Sequence, residues 1–211
     1  MQQKYKLSLI ICMEEIEVIE YFLDEDKEDS GVSAISLVDE PAILSDWIML
    51  SKTKVELKVV DEERRVLMGA LLIPEQEIPR VDEDGKEFKI KFSRETIRKV
   101  FQKFMRKELQ GNITLQHEKD ITGDGFVTEI WEKEDLVHDK SVKFGFSEPV
   151  GTWYCLMKIE SDEQWERAKK GEINGFSIEA LFTDTVQQSK SQSLVDQLLK
   201  ELEQELLILN K

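Results

Sequence analysis

The chain has 211 residues, 40% of them hydrophobic, enough to bury the core of one moderate-sized domain with extensions. Forty-four acids against 29 lysines and arginines leave a formal charge of −15, which argues against nucleic acid and anionic membrane surfaces as partners and favours a basic one. No apolar run reaches the roughly 18 residues of a membrane span, and the short apolar N-terminal stretch turns acidic at once, so neither a transmembrane helix nor a secretory leader is expected.

The first element in the chain is KLSLIIC (6–12), a loosely alternating strand, followed by the acidic EEIEVIEYFLDEDKEDSG and its polar turn. VSAISLV (32–38) reads as a strand closed by the turn DEP, and ILSDWIMLSK is ambiguous between strand and helix. Two strands, 54–60 and 66–73, flank the charged turn DEER; DEDG then signals a hairpin into the alternating EFKIKF. The clearest helix follows, capped by Ser93, with Ile97, Val100, Phe101, Phe104 and Met105 at helical spacing and Gly111 at its end.

NITLQH (112–117) reads as a strand, GDG turns into the strand FVTEIWE, and EDLVHDKSVKFGFSEPVG reads as a long irregular loop. TWYCLMKI (152–159) is a strong strand, SDEQWERAKKG a short capped helix, and GFSIEALF (175–182) the last strand of the core. From 186 the polar QQSKSQS links to SLVDQLLKELEQELLILNK, an amphipathic helix with leucines at helical steps. The organisation expected is an acidic extension at 1–30, a core at 31–185 and a linker with terminal helix at 186–211. The fold class is α+β, built on a mainly antiparallel sheet with flanking helices.

No phosphate-binding loop, dinucleotide fingerprint or HExxH is present. With two histidines and no paired cysteines, a zinc site would need carboxylates alone; no metal or other cofactor is expected, and the acid run DEDKED (24–29) reads as a solvated loop. Cys12 and Cys155 stand in no redox or metal spacing and read as reduced core residues of a cytoplasmic protein. Ser177, inside an apolar strand, is either a core serine bonded to a neighbouring carbonyl or a nucleophile on a rigid strand. A nucleophile would need a base such as His117 within hydrogen-bond reach and an acid to orient that base.

Six blocks in one order carry a resemblance: SLVDEPAI (36–43), LLIPEQEIPRVDEDGKEFKIKFSRETI (71–97), NITLQH (112–117), EIWEKEDLVHDKS (129–141), PVGTWYCLMKI (149–159) and GEINGFSIEALF (171–182). Together they resemble the XkdF-like group of tailed-phage prohead (procapsid maturation) serine proteases, related to the herpesvirus capsid-maturation proteases of assemblin fold. The resemblance implies a barrel-like antiparallel β core. It also implies a serine endopeptidase acting in the host cytoplasm, inside the assembling procapsid, on scaffold and major capsid proteins and on itself.

Carried onto this chain, the resemblance makes Ser177 the nucleophile, in G-x-S-I-E, and His117 the general base, in N-x-x-x-x-H. Herpesvirus relatives use a second histidine after the serine, and this chain has none there; the phage relatives use an acid. Glu129, on the strand next after His117 and expected to share a face with Val127 and Trp131, is the first choice; Glu179 and Asp184 are the alternatives. His138 is expected in a solvated loop, and Gly145, Gly151 and Gly175 are open either as approaches to an oxyanion or as turns. The tail at 190–211 is expected to contact scaffold or to form a homodimer. A catalytically inactive scaffold or capsid-assembly protein with a protease-like fold is the alternative reading.

Overall fold

The computed structural model describes residues 16–39, 57–82 and 85–184, leaving aside the side chains of 119–122, 183 and 184. The expectations for the strand at 6–12, Cys12, the ambiguous segment after 42, the linker and the terminal helix lie outside the described residues.

The elements run β1 (Val18–Phe22), β2 (Gly31–Val38), β3 (Lys58–Asp61), β4 (Val66–Leu72), β5 (Ile78–Val81), β6 (Glu87–Lys91), α1 (Arg94–Arg106), a 3-10 turn (Leu109–Gly111), β7 (Ile113–Leu115), β8 (Glu118–Thr122), β9 (Gly125–Glu132), α2 (Lys140–Lys143), β10 (Trp153–Ile159), α3 (Asp162–Lys169), β11 (Gly175–Leu181) and β12 (Thr183–Asp184). They form three four-stranded sheets, ordered β12-β1-β6-β5, β3-β4-β10-β9 and β11-β2-β7-β8. Pairing is antiparallel except for β1 with β6 and β2 with β7, so the fold is α+β. Among the described residues no sheet closes into a barrel. β1, inside the stretch expected as an extension, is a sheet member, pairing with β6 and β12.

The β3-β4-β10-β9 sheet is covered on both faces, which explains the near-continuous apolar run of TWYCLMKI. Trp153, Cys155 and Met157 of β10 enter the main core with Leu67 and Leu71 of β4. Tyr154 turns the other way, into a smaller cluster with Met68, Ala70 and Phe146, and stacks on Trp131 at 5.4 Å. Cys155 is wholly buried and free, and burial pushes its thiol well above the usual range.

Helix α1 starts as its sequence predicts. The Ser93 side chain accepts from the Thr96 amide at 3.3 Å, and Ile97, Val100 and Phe104 are fully buried. Phe104 meets the Trp153 ring edge-on at 5.7 Å. The helix stops at Arg106, short of Gly111, because Glu108 takes a left-handed conformation (φ 56°) and the chain re-enters as the 3-10 turn. The polar face of α1 is used too. Lys99 reaches Glu25 at 3.1 Å and Lys103 donates to the Lys27 carbonyl at 2.6 Å, so the acidic turn 24–29, exposed over 25–29 as expected, is also tethered to the helix.

Candidate functional site

The centre of the site is the β11-β2-β7 part of one sheet. Ser177 on β11 lies opposite Ser36 on β2, and Ser36 lies beside Thr114 on β7. Register partners share a face, so three hydroxyl side chains form a row across three strands. Glu179 stands two residues beyond Ser177 on the same strand, hence on the same face. Most of this is deep: Ser36 and Ser177 have no exposed surface, Glu179 is buried and Thr114 half-buried.

His117 joins the row by an unusual turn. The sequence reads as a strand through 117, but β7 ends at Leu115, and Gln116 and His117 form a two-residue hairpin loop into β8. Both have positive φ, 53° and 60°, as a type I′ turn requires. That conformation favours Asn-Gly and costs other residues about 1–3 kcal/mol each. The turn is tied down at both amides: Gln116 N–H donates to the Leu37 carbonyl at 2.9 Å, and His117 N–H to Ser36 Oγ at 3.0 Å.

The result aims the imidazole at Glu179, with Nδ1 3.5 Å from Oε1 and both side chains at least nine-tenths buried. Thr114 Oγ1 donates to the same Oε1 at 2.6 Å, which fixes the carboxylate beside the ring. Burial pushes the His117 pKa below 6.5; the Glu179 carboxylate opposes that shift and the nearby Arg80 guanidinium reinforces it. The imidazole is therefore held neutral, the form that accepts a proton.

Of the expected acids, only Glu179 is placed against His117. Glu129 points to solvent, 53% exposed, and pairs with Lys140. The physical reason is a β-bulge. Glu129 pairs with Leu156 but Val127 with Met157, so Thr128 is an extra residue and the alternation changes phase there. Val127 therefore faces the core while Glu129 shares a face with Trp131, contrary to the expected common face of all three. Asp184 is in β12, where its backbone pairs with Tyr21; its side chain lies outside what is described. His138 is 85% exposed beside Asp135. Gly145 and Gly151 have positive φ and spend their amides on the Val142 and Lys133 carbonyls, so both serve as turns, while Gly175 pairs with Val38 in the β11-β2 ladder.

Sequence reasoning missed Ser36, Thr114 and Arg80. Ser36 and Thr114 are polar residues in apolar strands, and Arg80 is a charge amid IPRV; that polarity was their only signal. Among the described residues no group of three or more His, Cys, Asp or Glu could hold a metal, and no helix is long and apolar enough to cross a membrane. The arrangement brings together a hydroxyl, an imidazole and a carboxylate, the residue types of acyl-transfer chemistry.

A family model described as "Putative phage serine protease XkdF" matches residues 54–186, more than half of the chain and including Ser177, His117 and Glu179. No curated protein and no solved structure matches the chain.

Proposed function

The chain belongs to that family of phage serine proteases, and from this premise we propose a serine endopeptidase that cleaves scaffold and major capsid proteins, and itself, during prohead maturation. The observation that carries the reading is the placement of His117, strained and tied to Ser36, against Glu179 on the face that bears Ser177. In this mechanism His117 Nδ1–H faces Glu179, which leaves Nε2 to take the Ser177 proton as Oγ attacks the scissile carbonyl carbon. The imidazolium formed is stabilised by the Glu179 carboxylate and then gives its proton to the leaving amine. Water, deprotonated by the same imidazole, releases the acyl group from Ser177 and restores the hydroxyl.

The proposal places the enzyme in the host cytoplasm, inside the assembling procapsid, with a protease core at 31–185 and a tail at 190–211 that contacts scaffold or pairs two copies. QQSKSQS is its site of self-cleavage, and kinship to the herpesvirus assemblins is part of the same reading. A second reading, an inactive scaffold or assembly protein with a protease-like fold, is favoured by one observation: Ser177 has no exposed surface. For a protease the same burial means that the site opens before substrate enters, which suits an enzyme restrained until assembly.

Co-expression with the scaffold and capsid proteins of the same phage separates the two. The wild type is expected to trim these proteins and its own ends, and Ser177→Ala to lower turnover by roughly a millionfold, as loss of a triad nucleophile does. Intact masses of all components over hours read this directly. Full-length partners beside both forms, or equal trimming by both, would remove the protease reading.

A further inference from the structure

Near the buried face, on a second sheet, lies a cation that the proposed mechanism does not use. Arg80, on β5, is 5% exposed, and Nη1 and Nη2 are both buried with no hydrogen-bond partner among the described residues. Arg94 and Arg98, by contrast, both pair with Glu132. A guanidinium removed from water with no counter-charge is costly, and burial lowers its pKa to about 10. The Glu179 carboxylate is engaged by Thr114 and His117.

Arg80 lies by the site. Its charge acts on Tyr21 and on His117. Tyr21 packs against Phe182 at 6.4 Å, immediately after the strand that bears Ser177 and Glu179. With both Nη nitrogens unengaged, the guanidinium presents its end-on fork, the geometry that accepts the two oxygens of a carboxylate in parallel.

We propose that Arg80 is the carboxylate-binding residue of this site, pairing through Nη1 and Nη2 with a carboxylate of the polypeptide being cleaved. This rests on the protease reading for its biological meaning but not for its chemistry. The carboxylate has two sources, an Asp or Glu side chain near the scissile bond or the new C-terminus that cleavage creates. Since the fork is buried, the carboxylate enters with the same opening that exposes Ser177.

Thermal denaturation of the full chain tests the site at fixed pH, using N-acetylglutamate amide for the side-chain carboxylate, N-acetylalanine for the α-carboxylate and N-acetylglutamine amide as the neutral control. Arg80→Met is expected to melt above the wild type, because the unpaired buried charge is gone. One of the two acids is expected to raise the wild-type midpoint and leave Arg80→Met unmoved, and its identity names the source. A peptide library, read by mass spectrometry, then gives specificity: the acidic-to-neutral cleavage ratio at one fixed position falls about 30-fold in Arg80→Met if the side chain is the source. Acids that shift both proteins alike, or neither, overturn the proposal. Acid stabilisation confined to the wild type, with Ser177 unlabelled by a fluorophosphonate in the opened site, keeps the Arg80 site and removes the protease reading.

Discussion

His117 occupies a backbone conformation that β-hairpin loops reserve for Asn and Gly, and its neighbour Gln116 does the same. Two amide hydrogen bonds to β2 over-determine the turn, and the strain is spent on pointing an imidazole at Glu179. Under the proposed mechanism Glu179→Gln is expected to lower kcat by about four orders of magnitude, as when the orienting acid of a triad is neutralised, while Glu129→Gln changes it less than about tenfold. Rates on a cleaved library peptide settle which acid serves, and a larger loss at Glu129 would reverse the assignment. The pH profile follows from the same residue. Because burial holds the folded pKa of His117 below 6.5, the base stays neutral as pH falls through 6.5, and the acid limb of kcat/KM is expected below that value. Arg80→Met removes one depressing charge and is expected to move that limb towards higher pH; an acid limb above 6.5 in the wild type would contradict this account.

At the scale of elements, α1 packs its apolar face against Trp153 of β10 and is tied to β9 by charge. Glu132 at the end of β9 takes Arg94 Nε at 2.6 Å and Arg98 through two contacts of 2.7 and 2.8 Å, while its own side chain is only 8% exposed. Hydrogen bonds from Arg98 hold its carboxyl below the usual 4.5. A depressed carboxyl stabilises the fold above its unfolded pKa and loses that contribution as pH falls through the folded one. Glu132→Gln is therefore expected to lower the urea midpoint at pH 7, and the gap from wild type to narrow below pH 4.5. A gap that persists in strong acid would mean that packing, not charge, holds the helix. The bulge in β9 shows the same level of control: one extra residue, Thr128, decides that Glu129 meets Lys140 and solvent instead of the core.

For the molecule as a whole, the three sheets meet around a core in which Trp153 is central, fully buried and flanked by Phe101 and Phe104 of α1. Trp153→Ala is expected to cost about 3–5 kcal/mol of unfolding free energy, the range for emptying a large aromatic site. Denaturant titration measures it, and a loss below about 1 kcal/mol would show that the core collapses onto the gap. The charge of −15 belongs to this scale as well. It is not spread evenly, because the basic face of α1 draws the acidic turn 24–29 onto the fold.

Local chemistry made much of this legible in advance. The Ser93 cap and helical apolar spacing marked α1, alternation marked β6 and β9, and the apolar run marked β10, because propensity and period act within a few residues. The ordered blocks likewise marked the family, and the nucleophile and base expected from them stand in the matched segment. What only the tertiary structure decided were relations across strands. No local signal shows that Gln116-His117 would turn left-handed, since the bonds that hold it come from β2, far back in the chain. Nor does alternation show a bulge, which is visible only once β9 is paired with β10, and so Glu129 read as sharing a face with Val127. Glu179 meets His117 because strand pairing brings distant segments to one face, and Arg80 comes near from a second sheet, long-range outcomes that no short window of sequence contains.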